Sequence, residues 1–512
     1  MTAASGFLRG ALIVGAMTGL SRLTGFARDL LIAAFLGAGA AADAFFVAFK
    51  LANFLRRMFV EGAFAAAFVP VFTGTLHDHG PEKARRLADD ALTLLFLALA
   101  AVVALGELAM PWLVRLLATG FDPAGERYAL AVQLSRITFP YLHLISLAAL
   151  YAGVLNGLGR FAAAAFAPVL LNLCLVAALL LARTLGWSPE FALAWGVALA
   201  GACQLVWVAV AAARAGFFLR LRRPRRSPAL DRLLRLLGPG AAGAGIGQIT
   251  LLVNSWFASW LPPGAVSHLF YADRLVQLPL GLVGVALGTA LLPQLVRLAR
   301  TAPEAATSAL NRATEAALVL TLPAALGLFI LARPIVTVLF ERGAFEPTAT
   351  TATAGALAAM AVGLPALVLL RVLGPAFFAR QDTRTPMWIG LGAVVLDIVL
   401  ITILVGPLAE TGIALAGSLA AWLAAALQVV LLTGRGWFAG DGLLRRRLPR
   451  IALASLGMAA LMVICERSLH LGSGVLLFGT IGLGVAAFLL LLLATGAFAL
   501  ADLRALRRSA EA

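Results

Sequence analysis

The sequence predicts an all-α polytopic membrane protein of about fourteen transmembrane helices. Two six-helix lobes would surround a central cationic cavity, with two further helices at the C-terminal end. Three observations predict this. Apolar stretches of spanning length recur along all 512 residues, which are 62% hydrophobic and 12% charged, with a mean hydropathy of +0.97; soluble domains carry about 25% charged residues. Basic residues gather in alternate connections. Six cations, Arg22, Arg28, Lys50, Arg56, Arg57 and Arg274, fall inside apolar stretches. Each would cost about 2.5–3.5 kcal/mol at a lipid-facing helix centre, or roughly 15–21 kcal/mol together. A water-filled cavity or paired anions would remove that cost.

Hydrophobic runs place helices near 8–37, 43–74, 87–117, 127–157, 161–184, 189–215 and 233–261. The remaining seven fall near 267–298, 312–340, 349–379, 386–408, 411–434, 451–468 and 473–501. An even count puts both termini on one side. The connections on that side hold Lys83, Arg85 and Arg86, then Arg220, Arg222, Arg223, Arg225 and Arg226, then Arg297, Arg300, Arg380 and Arg384. Arg445, Arg446, Arg447, Arg450, Arg504, Arg507 and Arg508 complete the set, while the opposite loops hold only Arg127, Arg342, Arg467 and the like. Both termini are therefore expected in the cytoplasm. The same rule accounts for the net charge of +16, so nucleic acid is not an expected partner.

The expected organisation is an N-terminal lobe at 1–215, a basic linker at 216–232 and a second lobe at 233–434. A basic loop at 435–450 and a final helix pair with its tail at 451–512 follow. No soluble domain and no cleavable signal peptide are expected. Cys174, Cys203 and Cys465 have no metal spacing and read as small core residues. An internal duplication is visible. The second helix ends at Ala66-Ala67-Phe68-Val69-Pro70 and the eighth at Ala290-Leu291-Leu292-Pro293, with the prolines 223 positions apart. At that offset Lys50 falls beside Asp273-Arg274, and Gly159-Arg160 followed by Pro168 echoes Ala379-Arg380 followed by Pro386. Two like-oriented lobes with a site between them are a common transporter plan.

The second helix is the most informative. Asp43, Lys50 and Arg57 are spaced by seven, and Asn53 and Glu61 lie four to either side of Arg57, which gives one polar stripe. The opposite face carries Phe45, Phe46, Phe49, Phe54, Phe59 and Phe64. In the first helix Arg22 shares a face with Asp29, and Thr24 with Arg28, while Gly25 is the expected soft point. The bland reading is a set of structural ion pairs. Asp29, Asp43, Glu61 and Asp273 are four anions against six cations, which leaves surplus positive charge for an anionic substrate. Arginine forks suit phosphate and carboxylate. Arg136 and Arg371 read as snorkelling or paired residues. Asp397, alone among Val394, Val395, Leu396 and Ile398, is either a cation or proton site or a satisfied packing residue. Asp89-Asp90 needs only a helix N-terminus. No HExxH, Walker loop, GxSxG or aspartate-rich cluster occurs, so no enzyme is expected.

At these residues the chain resembles the MurJ/MviN family of lipid II flippases, in the multidrug/oligosaccharidyl-lipid/polysaccharide exporter superfamily. The matching segments are SRLTGFARD at 21–29, ADAFFVAFKLANFLRRMFVEGAFAAAFVPVF at 42–72, YADRLVQLPLGLVGVALGTALLPQL at 271–295 and FFARQDTRTP at 377–386. The resemblance implies transport of lipid II, the undecaprenyl-diphosphate-linked disaccharide-pentapeptide of cell-wall synthesis, from the inner to the outer leaflet of the bacterial cytoplasmic membrane. Its partners would be lipid II, membrane lipids and the cell-wall synthesis machinery. It implies substrate contacts at Arg22, Arg28, Arg56, Arg57 and Arg274, an essential acid at Asp43, a lipid-tail groove on the last two helices and alternating access. Ala52 stands where relatives often have proline. No cofactor is implied beyond the sodium that some relatives bind. The positions here would be Asn254, Asp397 and Ser418, with Ile401 where a polar side chain is expected. The alternatives are a flippase for another lipid-linked oligosaccharide and a non-transport scaffold for cell-wall synthesis. A drug/cation antiporter would favour an acidic cavity.

Overall fold

The structure, a computed structural model, describes residues 3–57, 64–224, 227–469 and 473–496. Glu61 lies outside the described residues, as do Arg225, Arg226 and the last basic cluster. The described chain is all-α, with no strand among the described residues. The first half holds α1 (Ala3–Leu36), α2 (Ala40–Arg56), α3 (Ala65–Leu108), α4 (Met110–Leu117), α5 (Glu126–Thr138), α6 (Tyr141–Gly157), α7 (Phe161–Leu185) and α8 (Pro189–Arg214). The second holds α9 (Pro228–Ser259), α10 (Ala265–Thr301), α11 (Pro303–Ile330), α12 (Ala332–Phe340), α13 (Pro347–Phe378), α14 (Arg384–Gly434), α15 (Gly442–Ser468) and α16 (Gly474–Ala494).

Each segment that the hydrophobic pattern marks is mostly helical in its described residues, and local chemistry sets the breaks. Gly80 has φ 81° and ψ 174°, a conformation nearly confined to glycine, and splits α3 ahead of Pro81. Ala409, at φ 48°, splits α14 two residues after Pro407. The expected helix at 127–157 is interrupted at Phe139-Pro140, which divides α5 from α6. Length and apolarity alone qualify nine helices among the described residues as membrane spans, and kinked α14 counts there as one.

Packing divides the chain into two units, 1–267 with 342–345, and 268–341 with 346–512. The sequence expectation began a second lobe at 233. Here α9 packs on α3 and α4 and stays with the first unit. Helix order recurs along the chain. α4 and α12 begin 222 positions apart, at 110 and 332, and α7 and α14 begin 223 apart, at 161 and 384.

The first unit is cored by the stacked rings of Phe64, Phe68 and Phe72, with Phe217 edge-on to Phe72. In the second, α13 packs against α11, α12 and α14, and α15 docks on α11. An ionic clamp fixes that docking. Arg447 donates to buried Glu315 at 2.7 Å, and Arg312 bridges Glu315 and Asp441. Asp441 also caps α15 through the Leu444 N–H. Burial opposes its ionisation, but that N–H and Arg312 hold its carboxyl below the usual range.

Candidate functional site

The polar stripe of α2 is ordered by depth. Asp43 is fully buried, Lys50 half-buried and Arg57 exposed, while Phe45, Phe46 and Phe49 fill the apolar side. The stripe meets the turn between α9 and α10. Asp43 accepts the Gly264 N–H at 2.8 Å, the Ser267 N–H at 2.9 Å and the Ser267 hydroxyl at 2.8 Å. A carboxylate thus sits on the uncompensated donors that open α10, where the helix dipole favours negative charge.

Arg127 completes the arrangement with the opposite sign. Its guanidinium lies 3.4 Å from Asp43 Oδ2 and donates to the Ser259 carbonyl at 3.0 Å, at the end of α9. It also rests over the Phe121 ring at 4.0 Å. One turn is therefore gripped by an acid at the start of one helix and a cation at the end of the other. Sequence reading placed Arg127 among scattered loop arginines. Its position one residue inside α5 gave no sign of this partner.

Lower on the stripe, Lys50 Nζ donates to Ser255 Oγ of α9 at 2.9 Å. Asn53 donates back to the Phe49 carbonyl at 2.9 Å and accepts from Arg56 Nε at 3.2 Å. On α1, Arg22 is exposed. Arg28 is 4% exposed and bonds Asp29 through Nε and Nη2, at 2.9 and 2.6 Å. Its Nη1 donates to Asn172 Oδ1 at 2.9 Å, and Asn172 Nδ2 reaches the Ser21 carbonyl and Thr24 Oγ1. Gly25 is no soft point: α1 runs helically through it, and an added Cβ would stand 3.3 Å from Asn172 Nδ2. The glycine makes room for the amide. A lone asparagine in apolar α7 was the available signal, and it was missed.

Within the second unit, Arg274 lies over the Phe270 ring at 4.7 Å, and Asp273 accepts from Gln277. The sodium candidates behave differently from one another. Asp397 is 2% exposed and neither carboxylate oxygen has a hydrogen-bond partner among the described residues. Asn254 Oδ1 is likewise buried without a donor. Ser418 spends its proton on the Ala359 carbonyl at 2.7 Å. Ile401 is fully buried and offers no oxygen. At the candidate positions of this unit the side chains thus give one carboxylate and one hydroxyl, where a hard cation takes six or more oxygens from side chains, carbonyls and water. No cluster of three or more His, Cys, Asp or Glu occurs among the described residues.

Comparison with known proteins agrees over the whole length. A family model described as "Lipid II flippase MurJ" matches residues 32–482. A Rhizobium meliloti (strain 1021) protein named "Probable lipid II flippase MurJ" is 45% identical over 456 residues, covering 88% of this chain and 85% of its own. A Vibrio cholerae protein of the same name is 37% identical over 524 residues, 99% of each chain. A solved structure of "Lipid II flippase MurJ, inward closed conformation" superposes with a TM-score of 0.79 at 25% identity, covering 94% of this chain and 98% of its own.

Proposed function

This chain belongs to the lipid II flippase MurJ family, and on that premise we propose that it moves lipid II from the inner to the outer leaflet of the bacterial cytoplasmic membrane. The observation that carries the reading is the cationic array of α1 and α2 beside carboxylates already held elsewhere. Asp43 is bound to Arg127 and the start of α10, and Asp29 to Arg28. Arg22, Lys50, Arg56 and Arg57 add four positive charges along the same stretch of chain, against Glu61 alone. A diphosphate is a fitting counter-ion for such an excess, and arginine forks bind its oxygens two at a time.

In this reading Arg22, Lys50, Arg56, Arg57 and Arg274 receive the diphosphate in a cavity that opens alternately to each side. Arg28 joins them by exchanging Asp29 and Asn172. The sugar–peptide headgroup travels in water and the isoprenoid tail stays in lipid along the last two helices. Both termini face the cytoplasm, as the arginine-rich loops favour. Carrying an anionic headgroup out of a negative cytoplasm is favourable by about 2.3 kcal/mol per charge per 100 mV, so the potential drives the cycle without obligatory sodium. The chain acts as a transporter, not a catalyst of covalent change.

The test is depletion of the resident flippase from a bacterium, with this chain supplied in its place and lipid II measured in the outer leaflet. Growth and flipping are expected, lost with Arg22→Ala/Arg274→Ala and partly kept with lysine at both. Full flipping by the double alanine variant removes the cationic array from the reading. Flipping that survives collapse of the potential but stops without sodium reverses the energy assignment.

A further inference from the structure

A second cationic feature lies in the first unit, away from the α2 stripe. A cavity of about 510 Å³ is bounded by Leu155 and Gly159 at the end of α6, Phe161–Ala163 at the start of α7, and Trp207–Arg214 at the end of α8, with Ile13 of α1. Its walls are mostly apolar, and its two charged residues are Arg160 and Arg214. Both are exposed, and neither guanidinium has a hydrogen bond or ion pair among the described residues. That contrasts with Arg85 and Arg222 of the neighbouring loop edge, which bond the Gly216 and Arg86 carbonyls.

The apolar wall is open to its surroundings: Phe161 is 39%, Val210 42% and Trp207 44% exposed. Trp207 is nonetheless fixed, because its Nε1 donates to the Ala163 carbonyl at 3.1 Å and its ring packs on Phe166. A tethered indole beside arginines is the chemistry of a membrane–water interface. The volume matches a small-molecule site.

We propose that this cavity holds an anionic phospholipid of the leaflet facing the basic loops. Arg160 and Arg214 receive the phosphodiester, and Leu155, Phe161, Trp207 and Val210 receive the glycerol and the first part of an acyl chain. Charge complementarity selects the occupant: two cations with no counter-ion stand over an apolar floor, and basic pockets between membrane helices favour anionic headgroups. A zwitterionic lipid carries its own ammonium, which the two arginines repel.

The test is native mass spectrometry of the full-length purified protein titrated with phosphatidylglycerol or phosphatidylcholine. Phosphatidylglycerol should be retained preferentially. Arg160→Ala/Arg214→Ala should weaken that retention by roughly tenfold or more, the expected effect of two cations near an anionic headgroup. Lysine at both positions should keep most of it. Ala162→Trp, which fills the cavity and leaves both charges, should also lose it. Arg115→Ala/Arg467→Ala, at exposed arginines outside the cavity, should change nothing. Equal retention of the two lipids, or undiminished phosphatidylglycerol with both the double alanine and Ala162→Trp variants, would overturn the site. Displacement of phosphatidylglycerol by equimolar lipid II would overturn it too, by making the cavity part of the substrate route.

Discussion

Asp43 and Asp397 are both carboxylates sunk in apolar helices, 0% and 2% exposed, yet their surroundings are opposite. Asp43 is met by two backbone N–H groups, a hydroxyl and a guanidinium. Asp397 is met by no donor among the described residues, and a Cβ added at Gly417 would lie 3.8 Å from its Oδ1. A buried charge survives only when paired and hydrogen-bonded. Asp43 is therefore a fully partnered structural clamp, and Asp397 is a buried carboxyl with no hydrogen-bond partner among the described residues. Their burial is alike; their partners differ.

The largest effect should come from breaking the clamp. Asp43→Ala leaves Gly264 and Ser267 donors buried without an acceptor and Arg127 without its anion. A loss of about 3–5 kcal/mol is expected, read as a lowered unfolding midpoint of the purified protein and as failed complementation. Asp43→Asn should lose less, since the amide oxygen still accepts one N–H. An Asp43→Ala protein that melts with the parent would make the clamp dispensable and dissolve the contrast with Asp397.

A smaller effect should follow from Asn172→Ala, which removes no charge. It strips Arg28 Nη1 of its acceptor and cuts the tie from α7 to Ser21 and Thr24. A loss of about 1–3 kcal/mol is expected for a buried group left unsatisfied. Arg28→Lys in the same assay should fall near it, because lysine cannot fork between Asp29 and Asn172. If Asn172→Ala is silent, the Asn172 contact is dispensable for holding Arg28.

Asp397→Asn tests the other half of the comparison. If Asp397 is neutral, the amide is a close isostere and stability should move by less than about 1 kcal/mol, with flipping retained. A large loss of stability and of flipping would show that the carboxylate is charged and holds a cation.

The fold class was legible because hydropathy and helix breakers are local signals. Gly80-Pro81 and the 408–411 gap are written in the chain and appear as kinks at Gly80 and Ala409. The α2 stripe was legible for the same reason, since a spacing of seven fixes a helix face. What was not legible was where each polar group finds its partner. Arg127, Ser267 and Asn172 lie 84, 224 and 144 positions from the residues they bind. No periodicity spans such separations. The first helix shows the limit: Asp29 was paired by spacing with Arg22, whereas the side chain turns to its neighbour Arg28.

Asp382 extends the comparison to a carboxylate outside the membrane-spanning helices, and its effect should be the smallest. It lies in the connection between α13 and α14. Hydrogen bonds from Thr385, the hydroxyl foremost and then the N–H, together with the Arg435 guanidinium at 2.5 Å, hold its carboxyl down at about 2. An ordinary aspartate titrates near about 3.9. Because the folded value is depressed, the stabilisation is complete above about pH 4 and disappears as pH falls through about 2. The pair is partly exposed, so its size is on the order of 0–1 kcal/mol. Unfolding midpoints of the parent and of Asp382→Asn should therefore differ slightly at pH 6 and converge as pH falls from about 4 to about 2. A gap that stays constant over that window would mean that the carboxylate's charge contributes nothing, and that Thr385 and Arg435 hold the connection through shape alone.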